Sequence, residues 1–129
     1  MISLDRYIYL FVVLTIANLT TLLMTAFNSL VALALVFFIA HVFLLFTSFG
    51  KNGYQKLRYF YSHLTLWISG GLLFLLAVLY AGKNEVAILD VFDTPGKQLL
   101  IPGIVVVLSL VAHTIVHFLV IPKYQLDKK

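Results

Sequence analysis

Four histidines carry the chemistry this chain has to offer: His41, His63, His113 and His117. Imidazole is a common metal ligand and a frequent axial ligand of haem iron. His113 and His117 stand four residues apart, so on an α-helix they share one face, with Ser109 one turn away on the same face. A single b-type haem needs ligands from opposite sides, and His41 with His113 would supply them. A divalent metal ion would instead use His63, His113 and His117. The same histidines also have a plainer role, hydrogen-bonding a neighbouring helix, and His63 and His117 read as interfacial residues as well as ligands.

The elements that must position these side chains are four apolar runs: about 7–27, 29–49, 62–81 and 99–121. None contains Asp, Glu, Lys or Arg. Each is long enough, at 1.5 Å per residue, to cross a hydrocarbon core about 30 Å thick. Lipid offers the backbone no hydrogen-bond partner, so such spans are helices. The first two runs meet at Asn28-Ser29. One helix over both would be about twice the membrane thickness, which predicts a tight hairpin turning there. The expected architecture is an all-α, four-helix transmembrane bundle, a single integral membrane domain over 1–129. Four-helix bundles hold cofactors between facing helices.

Composition agrees. The chain is 62% hydrophobic and 11% charged, with a mean hydropathy of +1.04, against about 25% charged residues in a soluble domain. Few charges remain to solvate a surface, so most of the surface meets lipid. The absence of cysteine excludes disulfides, thiolate ligands, cysteine nucleophiles and palmitoylation. The net charge of +4 sits at the run ends, which points to anionic headgroups and membrane topology rather than nucleic acid. Met1–Arg6 leads into an apolar run without a convincing cleavage site, so the run reads as a retained helix.

Orientation follows from the basic residues. Arg6, Lys51, Lys56, Arg58, Lys123, Lys128 and Lys129 fall on one side of a four-span protein, and Lys83 and Lys97 on the other. Both termini and the Lys51–Arg58 loop are then cytoplasmic, with Glu85, Asp90 and Asp93 outside. Most tyrosines lie near run ends, as an interfacial belt requires. In this topology His41 and His113 lie roughly 18–21 Å from the outer face, and His63 and His117 near the cytoplasmic boundary. All four histidines thus share the inner half of the bilayer.

Thr15, Asn18, Thr21 and Thr25 recur at helical spacing in the first run, where such side chains bond across helices. Ser69-Gly70-Gly71 marks a close helix approach, and Pro102-Gly103 falls in the first turn of the last helix, where proline is tolerated. The segment 82–98, with Asp90, Asp93 and Pro95-Gly96, reads as a short interfacial piece closed by a turn. No HExxH, Walker loop, nucleophile elbow or intramembrane carboxylate pair is present, and the chain does not read as an enzyme.

The stretch 54–113 resembles the second half of copper-resistance D-like membrane domains. The likeness rests on Leu57-Arg58-Tyr59-Phe60, on Ser69-Gly70 inside a helix, and on Thr94-Pro95-Gly96-Lys97-Gln98-Leu99-Leu100 before the last helix. Pro102 stands about where that family shows a lysine, and the family's tryptophan-glycine pattern is missing. The resemblance implies copper or haem handling and identifies no ligand. The expected function is a small non-catalytic membrane protein binding haem b or a metal ion between its helices near the cytoplasmic leaflet. A cofactor-free accessory subunit of a larger membrane complex and a small oligomeric transporter are the alternatives. No charged gate inside the membrane speaks for ion-coupled transport. A bacterial inner membrane is the expected location.

Overall fold

The computed structural model describes residues 4–50, 53–84 and 86–126. Lys51, Glu85, Lys128 and Lys129, used above for topology, lie outside them. The chain runs α1 (Leu4–Thr47), a two-stranded antiparallel hairpin β1 (Phe49–Gly50) and β2 (Gly53–Tyr54), α2 (Lys56–Tyr80), the short α3 (Ala87–Asp90) and α4 (Pro95–Gln98), then α5 (Leu100–Ile115), a π turn (Val116–Val120) and α6 (Ile121–Leu126). Among the described residues three helices are long and apolar enough to cross a membrane: Leu4–Thr47, Lys56–Tyr80 and Pro95–Lys123.

The hairpin expected at Asn28-Ser29 is therefore a correction: α1 is one unbroken helix of 44 residues, about 66 Å long. The reason is local. No glycine or proline interrupts Leu4–Thr47, and only these residues break a helix reliably. Ser29 stays helical by donating its hydroxyl to the Thr25 carbonyl at 2.8 Å. The hydroxyls of Thr15, Thr21 and Thr25 do the same with carbonyls four residues back. They bond within their own helix, and none of the three bonds across to another described helix as expected.

The C-terminal half of α1 packs antiparallel on α2. Its inward residues are Phe27, Leu30, Ala34, Phe37, His41, Leu44 and Ser48, alternating steps of three and four as in a coiled-coil seam. On α2 the matching row is Tyr59, Ser62, Leu66, Ser69, Leu76 and Tyr80, all buried. Three hydrogen bonds keep one register along the pair. His41 meets the Ser62 carbonyl, Ser69 donates to the Ala34 carbonyl at 3.0 Å, and Tyr80 donates to the Leu23 carbonyl at 3.2 Å. The pairing ends with the Tyr80–Leu23 bond, and every residue from Leu4 to Ala26 is exposed.

The turn into α2 is tied down. Gly53 adopts φ +90 in the hairpin, a conformation that favours glycine. Phe49 stacks on Tyr54 with ring centroids 6.0 Å apart, and Arg58 donates to the Thr47 carbonyl at the end of α1, where a cation suits the helix dipole. Between α2 and α5, Gly82 donates to the Asp90 carboxylate at 2.7 Å and Lys97 donates to Asp93 at 2.7 Å. The Lys97 ammonium holds the Asp93 carboxyl below the usual carboxylate range. A lowered folded value adds stability above the ordinary carboxylate pKa, near 4, and loses it as the pH falls further. Asp93→Asn is expected to lower the thermal midpoint only slightly, since the pair is exposed. That difference fades in melts recorded below the carboxylate range and in high salt.

The expected close approach at Ser69-Gly70 is present. Gly70 lies against Val105 of α5 so tightly that a Cβ there would sit 2.5 Å from Val105 Cγ2.

Candidate functional site

Three of the four histidines converge where α1, α2 and α5 meet. His41 comes from the inward seam of α1, His63 from the second turn of α2, and His113 from the last turn of α5. The His63 and His113 rings lie edge to face with centroids 5.4 Å apart. Tyr59, one turn before His63, packs on it at 4.3 Å and on His113 at 5.8 Å. His117 is held apart: it lies in the π turn and packs on Phe118 at 4.9 Å. A π turn is wider than an α turn and is often found at functional sites.

Backbone carbonyls fix two of the imidazoles. Nδ1 of His41 lies 2.7 Å from the Ser62 carbonyl, and Nδ1 of His63 lies 3.1 Å from the Tyr59 carbonyl. A carbonyl oxygen only accepts, so each Nδ1 carries the proton and each Nε2 presents a lone pair. This is the arrangement in which a histidine ligates, its second nitrogen oriented by a carbonyl. The Nε2 of His63 is buried and has no hydrogen-bond partner, and the same holds for the Tyr59 hydroxyl. Native interiors seldom leave such groups unpaired.

A cavity of about 360 Å³ adjoins them, with His41 and His63 on its walls beside Leu66, Leu108, Val111 and Ile115. Its size lies at the small end of ligand sites, and its mix of apolar walls with few polar groups is typical of them. Among the described residues no group of three or more His, Asp or Glu is gathered as a metal would require. The set His63, His113 and His117 is thus not gathered as a metal would require, while His41 and His63 line one cavity. Sequence reasoning had Tyr59 as a belt residue only. Its spacing to Ser62, Leu66 and Ser69, steps of three and four, is the signal that places it inward.

The fold and site define a helical protein with three segments suited to spanning a membrane and an imidazole cluster at one end of their junction. Compared with known proteins, the chain matches no family model, no curated protein and no solved structure.

Proposed function

We propose that this is a small, non-catalytic integral membrane protein that binds haem b at the junction of α1, α2 and α5. The observation that carries the reading is the pair of carbonyl-anchored imidazoles, His41 and His63, whose free Nε2 atoms belong to residues lining one apolar cavity. Haem favours this set over a bare divalent ion. A zinc-like ion takes four ligands, and among the described residues no three His, Asp or Glu are placed to hold one. Haem brings its own equatorial nitrogens, needs one or two axial ligands from the protein, and offers the apolar walls a large apolar surface. His63 is the first ligand, because its Nε2 is already buried and unpaired. His41 is the second, and His113, beside His63, replaces it if the helices shift.

Lys56 and Arg58 next to the hairpin, with Lys123 beyond α5, support a cytoplasmic position for that end and the C-terminus. The site then lies in the cytoplasmic leaflet of a cell membrane. Cytoplasmic placement of the N-terminus rested on a hairpin that the unbroken α1 removes. The bare N-terminal half of α1 favours a second role, as a subunit that packs against other membrane chains.

The test is a titration of detergent-purified protein with haem, followed by its absorption spectrum and metal content. A Soret band is expected for the wild type, with at least a tenfold weaker affinity in His63→Ala and His41→Ala. His117→Ala leaves it unchanged. A folded wild type that takes up neither haem nor metal defeats the proposal.

A further inference from the structure

α1 and α5 both pack on α2 but, among the described residues, hardly on each other. Between them, toward the hairpin end, runs a groove of about 240 Å³. Phe46 and Phe49 form one wall, and Ile115, Val116 and Val120 form the other. Its deep end, at Leu45 and Ala112, adjoins the cavity of His41 and His63. Phe46 and Ile115 are exposed, so the groove opens sideways to whatever surrounds the helices. Every lining side chain is apolar, and an unfilled groove forfeits dispersion contacts along both walls.

From Ala112 to Val120 the groove follows its helix for about 12 Å, close to half of a hydrocarbon core about 30 Å thick. Lys123 stands three residues past Val120, on the same face at the end of the groove. It is exposed and in no ion pair among the described residues. α6, which carries it, lies against β2, so Lys56 and Arg58 at the start of α2 belong to the same end of the molecule. In the sequence this end carries Lys51, Lys56, Arg58, Lys123, Lys128 and Lys129 against a single acid, Asp127. The opposite end, 82–98, carries Lys83 and Lys97 against Glu85, Asp90 and Asp93. The larger apolar groove toward that end, about 510 Å³, meets no excess of cations.

We infer that the groove between α1 and α5 holds one acyl chain of an anionic phospholipid from the leaflet at the hairpin end, with its phosphate at Lys123. The length and the apolar walls take the chain, and the excess of cations selects the headgroup. A lysine at such a boundary lays its stem along apolar surface and keeps its ammonium among the headgroups. One such cation near an anionic surface is worth about 1 kcal/mol, or about fivefold in affinity over a zwitterionic lipid.

The chain's single tryptophan, Trp67, is exposed on α2 and lies outside the groove lining. Trp67→Phe combined with Phe46→Trp moves the one fluorescent reporter into the groove. Each protein is reconstituted in vesicles of phosphatidylcholine and phosphatidylglycerol, with one lipid or the other carrying brominated, quenching acyl chains. The groove reporter is expected to prefer phosphatidylglycerol about fivefold, and Trp67 of the wild type to show little preference. Adding Lys123→Gln should bring the groove reporter to the same small preference. Native mass spectrometry with the groove left intact reads the same contrast, phosphatidylglycerol retained by the wild type and lost in Lys123→Gln. Equal quenching of the groove reporter by both lipids overturns the inference. So does an equal preference at both reporters, which would belong to the whole surface, or a preference that survives Lys123→Gln. None of these readings needs haem, so they stand or fall apart from the haem site.

Discussion

A His63→Leu protein is expected to unfold at a higher temperature than the ligand-free wild type and to bind haem at least tenfold more weakly. Two opposite changes from one substitution follow from the state of a single atom. The Nε2 of His63 is buried without a partner, and leaving such a group unpaired costs about 1–3 kcal/mol. Leucine removes the atom and roughly keeps the volume. It also gives up the Nδ1 hydrogen bond to the Tyr59 carbonyl and the edge contacts with Tyr59 and His113, which together offset part of the gain. The net is a stabilisation of about 1 kcal/mol. Tyr59→Phe probes the same idea more gently. It deletes an orphaned hydroxyl and keeps the ring, so it is expected to be neutral or up to about 1 kcal/mol stabilising. Melts of ligand-free protein in detergent decide the matter. Clear destabilisation in both variants would mean that these polar atoms are satisfied in the native state, and the argument for an open ligand position would fall.

That single atom also shows what could be read in advance. The apolar runs were legible, because length and lack of charge decide whether a segment suits lipid. The α2 and α5 spans stand where hydropathy places them, with α2 beginning earlier, at Lys56, because the chain needs no apolar residue in its first turn at an interface. The break at Asn28-Ser29 was not legible correctly. Bilayer thickness favours a break there, whereas the helix is decided locally, by the absence of glycine and proline from Leu4–Thr47. Depth alone grouped all four histidines in one expected layer. Which of them meet depends on which face of each helix turns inward, and His117 lies in the π turn. Ser69-Gly70 was legible as a close approach, and it is the place where α5 is held.

Gly70→Ala should therefore destabilise the protein although alanine is the better helix former. Between exposed helix positions the exchange gains up to about 1 kcal/mol. At Gly70 the new methyl would stand 2.5 Å from Val105 Cγ2 and 3.5 Å from its Cβ. Val105 is itself buried, and its β-branched side chain has little rotamer freedom on a helix. The helices must separate instead, and overpacking of this kind costs about 1–3 kcal/mol. Gly71 supplies the control, because nothing lies within 4 Å of a Cβ built there. Gly71→Ala is expected to be neutral or stabilising, so adjacent glycines give opposite signs. Val105→Ala alone leaves a small void and costs about 1–2 kcal/mol. Combined with Gly70→Ala it removes the colliding methyl, and the double variant should be more stable than the two losses predict by about 0.5–3 kcal/mol. Moving α5 off α2 also shifts Leu108, Val111 and Ile115, the walls that α5 gives the cavity beside His41 and His63. Gly70→Ala is accordingly expected to weaken haem binding, and Val105→Ala to restore it in the double variant. Simple addition of the two stability losses would show that Gly70 and Val105 do not set the distance between the helices.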